Sequence, residues 1–417
     1  MWTSFFRQFT QKMEFPSALR HRNFRLYWGG LLVSVLGFQI LMVVQGWLVY
    51  DLTGKARYLG LLGLVTAVPT ILLNLVGGVA ADRMDQRRLL MATQTSSAIL
   101  MIFLGTLVLL NVVQIWHILV IAFLAGAVLA FDSPSRQSLY PHLIDRKDLM
   151  NAVALNSTIW QGTRIIGPAI AGIMAWKIGL ASGFYAAAAG FLVLVFALSC
   201  IRIQPIHREI TGNVRSNMGE GIRFVTTNRL FTFLIGMTFF NSFFGMSYVF
   251  LLPIFARDIL DAGPQGLGFL QTGSGLGSLL MTFIAATLGR SRFKGHLLIG
   301  GATLFGFFLI LFAYSQDYYT SMVLLFMAGA SSSLYMILVM TTLQSQVPDH
   351  LRGRVMGLYG MTWSLMPLGA MQAGFIADWF GAPVAVTVGG FMVSAFAVVV
   401  GATNSKVRNM GNEIQAS

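Results

Sequence analysis

The chain has 417 residues, of which 56% are hydrophobic and 10% charged, and a mean hydropathy of +0.71, far more apolar surface than a soluble core needs. A lone cysteine, Cys200, excludes an internal disulfide and a cysteine-based zinc site, and six histidines without ligand spacing offer no other metal site. No phosphate-binding Gly-Lys-Ser/Thr run or nucleophile elbow occurs, so neither a cofactor nor enzyme chemistry is expected.

Residues 1–25 carry base interleaved with Trp2, Phe5, Phe6 and Phe9 rather than a cleavable leader. They read as a cytoplasmic segment whose aromatics can lie on the inner membrane surface. Beyond them come apolar runs of about 20 residues, each long enough to cross about 30 Å of hydrocarbon as a helix. These predict spans near 26–49, 58–81, 89–111, 116–138, 151–175, 182–202, 230–254, 264–288, 296–314, 320–345, 354–376 and 382–403. A polar break from Ile203 to Arg229 separates six spans from six. The expected architecture is therefore an all-α integral membrane protein with twelve transmembrane helices in two six-helix bundles, 26–203 and 230–403, joined by a cytoplasmic linker, 204–229, and ending in a cytoplasmic tail, 404–417.

The net charge of +13 follows this topology. When loops are counted alternately, 23 of the 28 Lys and Arg residues fall on the side of the termini and four on the other, which places both termini in the cytoplasm by the positive-inside rule. The base is explained by a bilayer, and no nucleic-acid partner is expected. The two halves also repeat. At a separation of 202, Gly167 meets Gly369, Gly172 meets Gly374 and Gly179 meets Gly381, and Tyr50-Asp51-Leu52-Thr53 is faintly echoed by Arg257-Asp258-Ile259-Leu260. Two parallel halves around a midplane site is a known transporter plan.

Polar side chains inside the spans are candidates to line that site: Gln39 and Gln45 in span 1, Gln161 in span 5, Asn241 and Tyr248 in span 7, Gln271 in span 8 and Ser332 in span 10. Arg164 stands apart, as the only basic residue deep inside span 5. An arginine at mid-bilayer costs roughly 3 kcal/mol on insertion scales, so it is expected to face an acid, a wet cavity or a ligand. Asp132 is the one acid clearly within a span and hence the coupling candidate. Its partner is either Arg136, one turn away on the same helix, or Arg164; in the first case Arg164 is left to meet an anionic or carbonyl-rich substrate.

Three motifs carry a resemblance. Between spans 2 and 3, Gly78, Asp82, Arg83 and Arg87 match a Gly-x-x-x-Asp-Arg-x-Gly-Arg-Arg/Lys loop, with Asp85 and Gln86 departing from it. In span 5, Gly162, Gly167-Pro168 and Gly172 spread over a broad face, since glycines five apart sit about 140° apart on a helical wheel. Small residues permit close helix approach and Pro168 permits a bend, as a gate requires. Ala130-Phe131-Asp132-Ser133-Pro134-Ser135-Arg136-Gln137, the run Leu149–Ser157 and Trp47–Gly54 complete the pattern.

Over roughly residues 18–405 the chain resembles the major facilitator superfamily, in the branch of the enterobactin exporter, also called the transmembrane secretion effector family. The resemblance implies a secondary transporter of a siderophore-like or drug-like amphipathic molecule, exported across the bacterial inner membrane by alternating access, with protons as the exchanged ion. It makes Asp82 and its basic neighbours a latch that stabilises the outward-open state, and the span-5 glycines an antiporter motif. The arginine that many proton antiporters of the superfamily carry in span 4 has no counterpart in Ile121–Gly126. An importer on the same fold, or a membrane receptor or assembly factor that does not transport, are the competing readings.

Overall fold

The computed structural model describes residues 16–201, 223–288, 293–408 and 410. The aromatic N-terminal segment and most of the linker lie outside them. Within them the predicted spans are helical segments: α1 (Arg22–Thr53), α2 (Ala56–Arg83), α3 (Gln86–Leu109), α4 (Ile115–Leu139), α5 (Leu149–Lys177) and α6 (Leu180–Ser199) in the first half. The second half holds α7 (Arg229–Ile259), α8 (Gly263–Leu288), α9 (Lys294–Ala313), α10 (Tyr318–Gln346), α11 in two pieces (Asp349–Trp363 and Met366–Phe380) and α12 (Ala382–Thr403).

Ten of these helices are by themselves long and apolar enough to cross a bilayer. The other two are α5 and α11. In α5 the polar run around Gln161, Thr163 and Arg164 lowers the hydropathy, and α11 is broken at Ser364-Leu365, just before Pro367, whose ring cannot continue a helix with full hydrogen bonding. Helix α7 is continuous only by loosening into two π-turns, Asn241–Gly245 and Phe255–Ile259. Such turns are frequent at functional sites.

Packing is two-fold. In the first half α2 lies on α4, α1 on α5 and α6, and α3 on α4 and α6; in the second half α8 lies on α10, and α9 on α10 and α12. The halves meet along two seams, α5 on α8 and α2 on the second piece of α11, which exchange under the same two-fold. The glycine repeat falls at equivalent places in this symmetry. Gly179 and Gly381 both precede a helix with positive φ, 107° and 91°, a conformation that strains any residue with a Cβ. A Cβ on Gly172 would lie 2.7 Å from the carbonyl oxygen of Pro264 at the start of α8, and one on Gly374 2.9 Å from that of Ala56 at the start of α2. Gly167 and Gly369 perform the third equivalent task, against Gln39 of α1 and Phe243 of α7.

A short 3-10 helix, Ser17–Arg20, docks the start of the described chain on α5. Its Ala18 amide donates to Asn151 Oδ1 at 3.1 Å, and the His21 ring lies 2.9 Å from Asp148. The Ser17 hydroxyl and that ring hold the Asp148 carboxyl below the usual carboxylate range.

Candidate functional site

Between the seams and the base-rich end of the molecule lies a cavity of about 210 Å³. Among the described residues of the first half, Gln161 and Arg164 of α5 reach it. The second half contributes Met246 and Tyr248, which follow the first π-turn of α7; Ser274, Ser278 and Thr282 of α8; Ser332, Ser333, Met336 and Met340 of α10; and Tyr359 and Trp363, at the end of the first piece of α11. The lining is lopsided because the seams hold α5 against α8 while the broken α11 turns Tyr359 and Trp363 inward.

Its polarity is one of hydroxyls. Ser274, Ser278 and Thr282 recur every four residues and so form one stripe along α8. The Tyr248 hydroxyl is 3.0 Å from Ser274 Oγ, and Thr282 Oγ1 is 3.1 Å from Ser333 Oγ. Arg164 is exposed into this space and makes no ion pair with a described residue. No Asp or Glu is among the described lining residues.

The other sequence candidates lie elsewhere. Gln39 sits behind Gly167, whose Cβ would be 2.5 Å from the Gln39 side chain. Gln45 is buried in α1, and Gln271 is half-buried outside the lining. Asn241 is fully buried at the start of the π-turn, with both amide atoms unpartnered among the described residues. The α8 hydroxyls and the methionines were not singled out from sequence; the four-residue spacing of Ser274, Ser278 and Thr282 was the available signal.

Asp132 belongs to a separate, enclosed network. It is 4% exposed, and its Oδ2 accepts from the Arg136 guanidinium. Its Oδ1 accepts from Thr93 Oγ1 at 2.9 Å and from Gln94 Nε2 at 2.5 Å. Ser34 of α1 then donates to Gln94 Oε1 at 2.9 Å. The network ties α1, α3 and α4 together inside the first half, with Arg136 rather than Arg164 as the partner.

The glycines of the span-5 pattern divide by position. A Cβ on Gly162 would meet nothing within 4 Å, so no helix approaches closely there in this conformation, unlike the expectation for a tight contact. Gly172 faces α8, and Pro168 supplies the carbonyl that Gly268 approaches, at 2.2 Å from a Cβ built there. Proline lacks the amide that would bond the Arg164 carbonyl, and α8 fills in beside it: Thr272 Oγ1 donates to the Ile165 carbonyl at 2.9 Å.

The loop after α2 shows why Asp85 and Gln86 depart from the family pattern. Asp85 caps α3 by accepting from the Arg88 amide at 3.1 Å, and Gln86 Nε2 donates to the Ala81 carbonyl at the end of α2 at 3.0 Å. Arg87 donates to the carbonyls of Leu198 and Ser199 at 2.6 and 3.0 Å, at the C-terminus of α6, where the helix dipole favours a cation. Gly78 is open, and Asp82 and Arg83 form no ion pair with a described residue.

Charge joins the halves at the base-poor end. Tyr50 donates to Asp258, Arg257 lies 3.3 Å from Asp51 and donates to the Tyr50 carbonyl at 3.2 Å, and Arg57 lies 3.6 Å from Asp378. The two segments that echo each other in sequence, Tyr50–Thr53 and Arg257–Leu260, are thus partners in space. These groups are partly exposed, each pair contributing about 1 kcal/mol or less, but they act on one state only. Arg257→Gln is expected to open this end about fivefold more often. In a Cys200→Ser background, labelling of a Thr272→Cys probe by an impermeant maleimide from that side should rise accordingly; an unchanged rate would show that the ion pairs do not hold the seam.

Residues 15–417 match the family model described as transmembrane secretion effector. The chain is 26% identical over 360 residues to the staphyloferrin A transporter of Staphylococcus aureus, covering 83% of this chain and 87% of that one. To the multidrug efflux pump Tap of Mycolicibacterium fortuitum it is also 26% identical, over 363 residues, with the same coverage. Among solved structures, a bacterial homolog of the human lysosomal transporter Spinster, in an inward-facing and occupied conformation, superposes with a TM-score of 0.73 at 14% identity, covering 93% of this chain and 98% of that one.

Proposed function

Because the chain belongs to the transmembrane secretion effector family of major facilitator transporters, we propose that it exports a small amphipathic molecule from the cytoplasm, in exchange for protons, across the bacterial inner membrane. The observation that carries this reading is the match of residues 15–417 to the transmembrane secretion effector family, and the asymmetry of closure fits it. Both seams and the charge cluster close the base-poor end, while the cavity holding Arg164 lies toward the base-rich end. With the base-rich end and both termini in the cytoplasm, this is the state in which an exporter loads and an importer releases, so the direction rests on the family match.

Alternating access follows from rocking of the two halves. The charge cluster and the glycine seams stabilise the present state, and Asp82 and Arg83, which form no ion pair with a described residue, lie at the end that must close next, where a latch would favour the outward-open state. Differential contact of this kind biases two populations. Pro168 and Gly172 support the gating reading through the α5 seam, while Gly167 packs on α1 within the first half. Asp132 remains the coupling candidate, as a carboxylate buried in a span. Its place inside the first half means that it would act by altering the packing of α1, α3 and α4 rather than by touching substrate. The names of the relatives, a siderophore transporter and a multidrug pump, support a siderophore-like or drug-like cargo.

The test is uptake of radiolabelled siderophores and lipophilic drugs into everted membrane vesicles with and without the protein, with the proton gradient intact or collapsed. Gradient-dependent uptake of at least one compound is expected. Uptake confined to right-side-out vesicles would replace export with import, and a ligand that binds without moving would favour a receptor.

A further inference from the structure

Arg164 and the α8 hydroxyls specify more than a cavity. Taking the cavity as the substrate site, as proposed above, we infer that its cargo is an organic anion: a carboxylate, or a group of the same charge and planar geometry, seats on Arg164, and the neutral polar part of the molecule lies along Ser274, Ser278 and Thr282.

The charge argument comes first. The other arginine inside the first half, Arg136, is neutralised by Asp132 and enclosed with it. Arg164 has no such partner among the described residues and is exposed into the cavity, where no described lining residue is a carboxylate. A cationic molecule entering this space meets a like charge with no acid to offset it; an anion meets a planar five-donor fork suited to two-point recognition.

The rest of the wall has groups for a neutral body. Tyr248 with Ser274 and Thr282 with Ser333 form hydroxyl pairs that donate and accept, and Met336, Met340 and Trp363 form a deformable apolar side. A volume of about 210 Å³ is below the range of about 300–1,000 Å³ usual for drug-sized ligands, so the enclosed part suits one charged unit of a molecule rather than a large macrocycle.

The lopsided lining adds a consequence. The charge comes from the first half and the hydroxyls and apolar wall from the second, so a bound anion bridges the halves. Closing the base-rich end around an empty cavity would take an unpaired guanidinium out of water, which is strongly unfavourable. Closing it around an anion does not. Arg164 thereby both selects the cargo and makes closure depend on it.

The experiment uses three probes of one shape and different charge, 1-naphthoate, 1-naphthamide and 1-naphthylmethylammonium, titrated against the purified full-length protein with thermal stabilisation as readout. Naphthoate is expected to bind at least about tenfold more tightly than either of the others. Arg164→Gln should abolish that preference and Arg164→Lys retain part of it, with the unliganded melting temperature unchanged in each. Equal binding of the three, preference for the ammonium, a preference that survives Arg164→Gln, or no naphthoate binding up to about 10 mM would overturn the inference. Should Arg164→Gln fail to fold, the probe series on the wild-type protein and Arg164→Lys decides alone. Binding requires no transport, so a naphthoate preference without gradient-driven uptake would sink the export reading and leave the anion site, whereas gradient-driven uptake of cations without that preference would do the reverse.

Discussion

Asp132→Ala is expected to destabilise the protein by about 3–5 kcal/mol, the penalty for stranding one member of a buried ion pair. The alanine would leave the largely buried Arg136 guanidinium without its carboxylate and Gln94 Nε2 without its acceptor, while Thr93 Oγ1 keeps the Leu90 carbonyl at 2.9 Å; Arg136 Nη1 is already buried without a partner among the described residues. Thermal unfolding of the purified variant, with monodispersity by size exclusion, would report the loss. Removing both charges in Asp132→Leu with Arg136→Met should recover much of it, since an apolar pair of similar volume is often neutral or better. An Asp132→Ala protein that melts like the wild type would show that the network is not structural. Asp132→Asn addresses coupling separately: it keeps an acceptor for Thr93 and Gln94, so a folded variant whose transport no longer follows the proton gradient would place coupling at this carboxylate.

The second large effect is expected from Gly268→Val. A Cβ there would stand 2.2 Å from the Pro168 carbonyl oxygen, a backbone atom of a packed helix that cannot rotate aside. Overpacking of this kind typically costs 1–3 kcal/mol, and because the contact exists only while the base-poor end is closed, the strain acts on that state; about 2 kcal/mol shifts the balance of open and closed forms by up to about thirtyfold. Transport should fall at least about tenfold, and an impermeant maleimide should reach the Thr272→Cys probe from the base-poor side. Gly162→Ala is the control, because its Cβ meets nothing within 4 Å. Equal damage from the two substitutions would mean that the glycine pattern of α5 acts through another conformation.

Much of the fold was legible because a bilayer imposes simple rules. Hydrocarbon thickness sets span length, unpaired backbone is forbidden there, and base collects on one side; together these give helices and their alternation from composition alone. The glycine repeat was legible for a related reason: each equivalent pair faces the same steric demand in the two halves, so Gly179 and Gly381 each need positive φ, and Gly172 and Gly374 each admit a neighbouring helix. The pairing of Asp132 with Arg136 was within reach too, since four residues on a helix is one turn.

Other features depended on contacts between residues far apart in the chain. Nothing in the spacing of Gly162, Gly167 and Gly172 says that the first faces open space, the second α1 and the third α8; that depends on how α5 is rotated between two neighbours. Polar residues in spans were equally ambiguous. Gln45 and Asn241 share the chemistry of Gln161, yet the first two are buried and only the last lines the cavity. Sequence by itself determined the helices, their two-fold repeat, the sidedness of charge and the isolation of Arg164. Tertiary structure decided which seams are closed, which polar groups meet in the cavity, and that Tyr50–Thr53 and Arg257–Leu260 clasp each other at the base-poor end, because helix rotation and the rocking angle of the two halves are set by packing across the molecule rather than by local pattern.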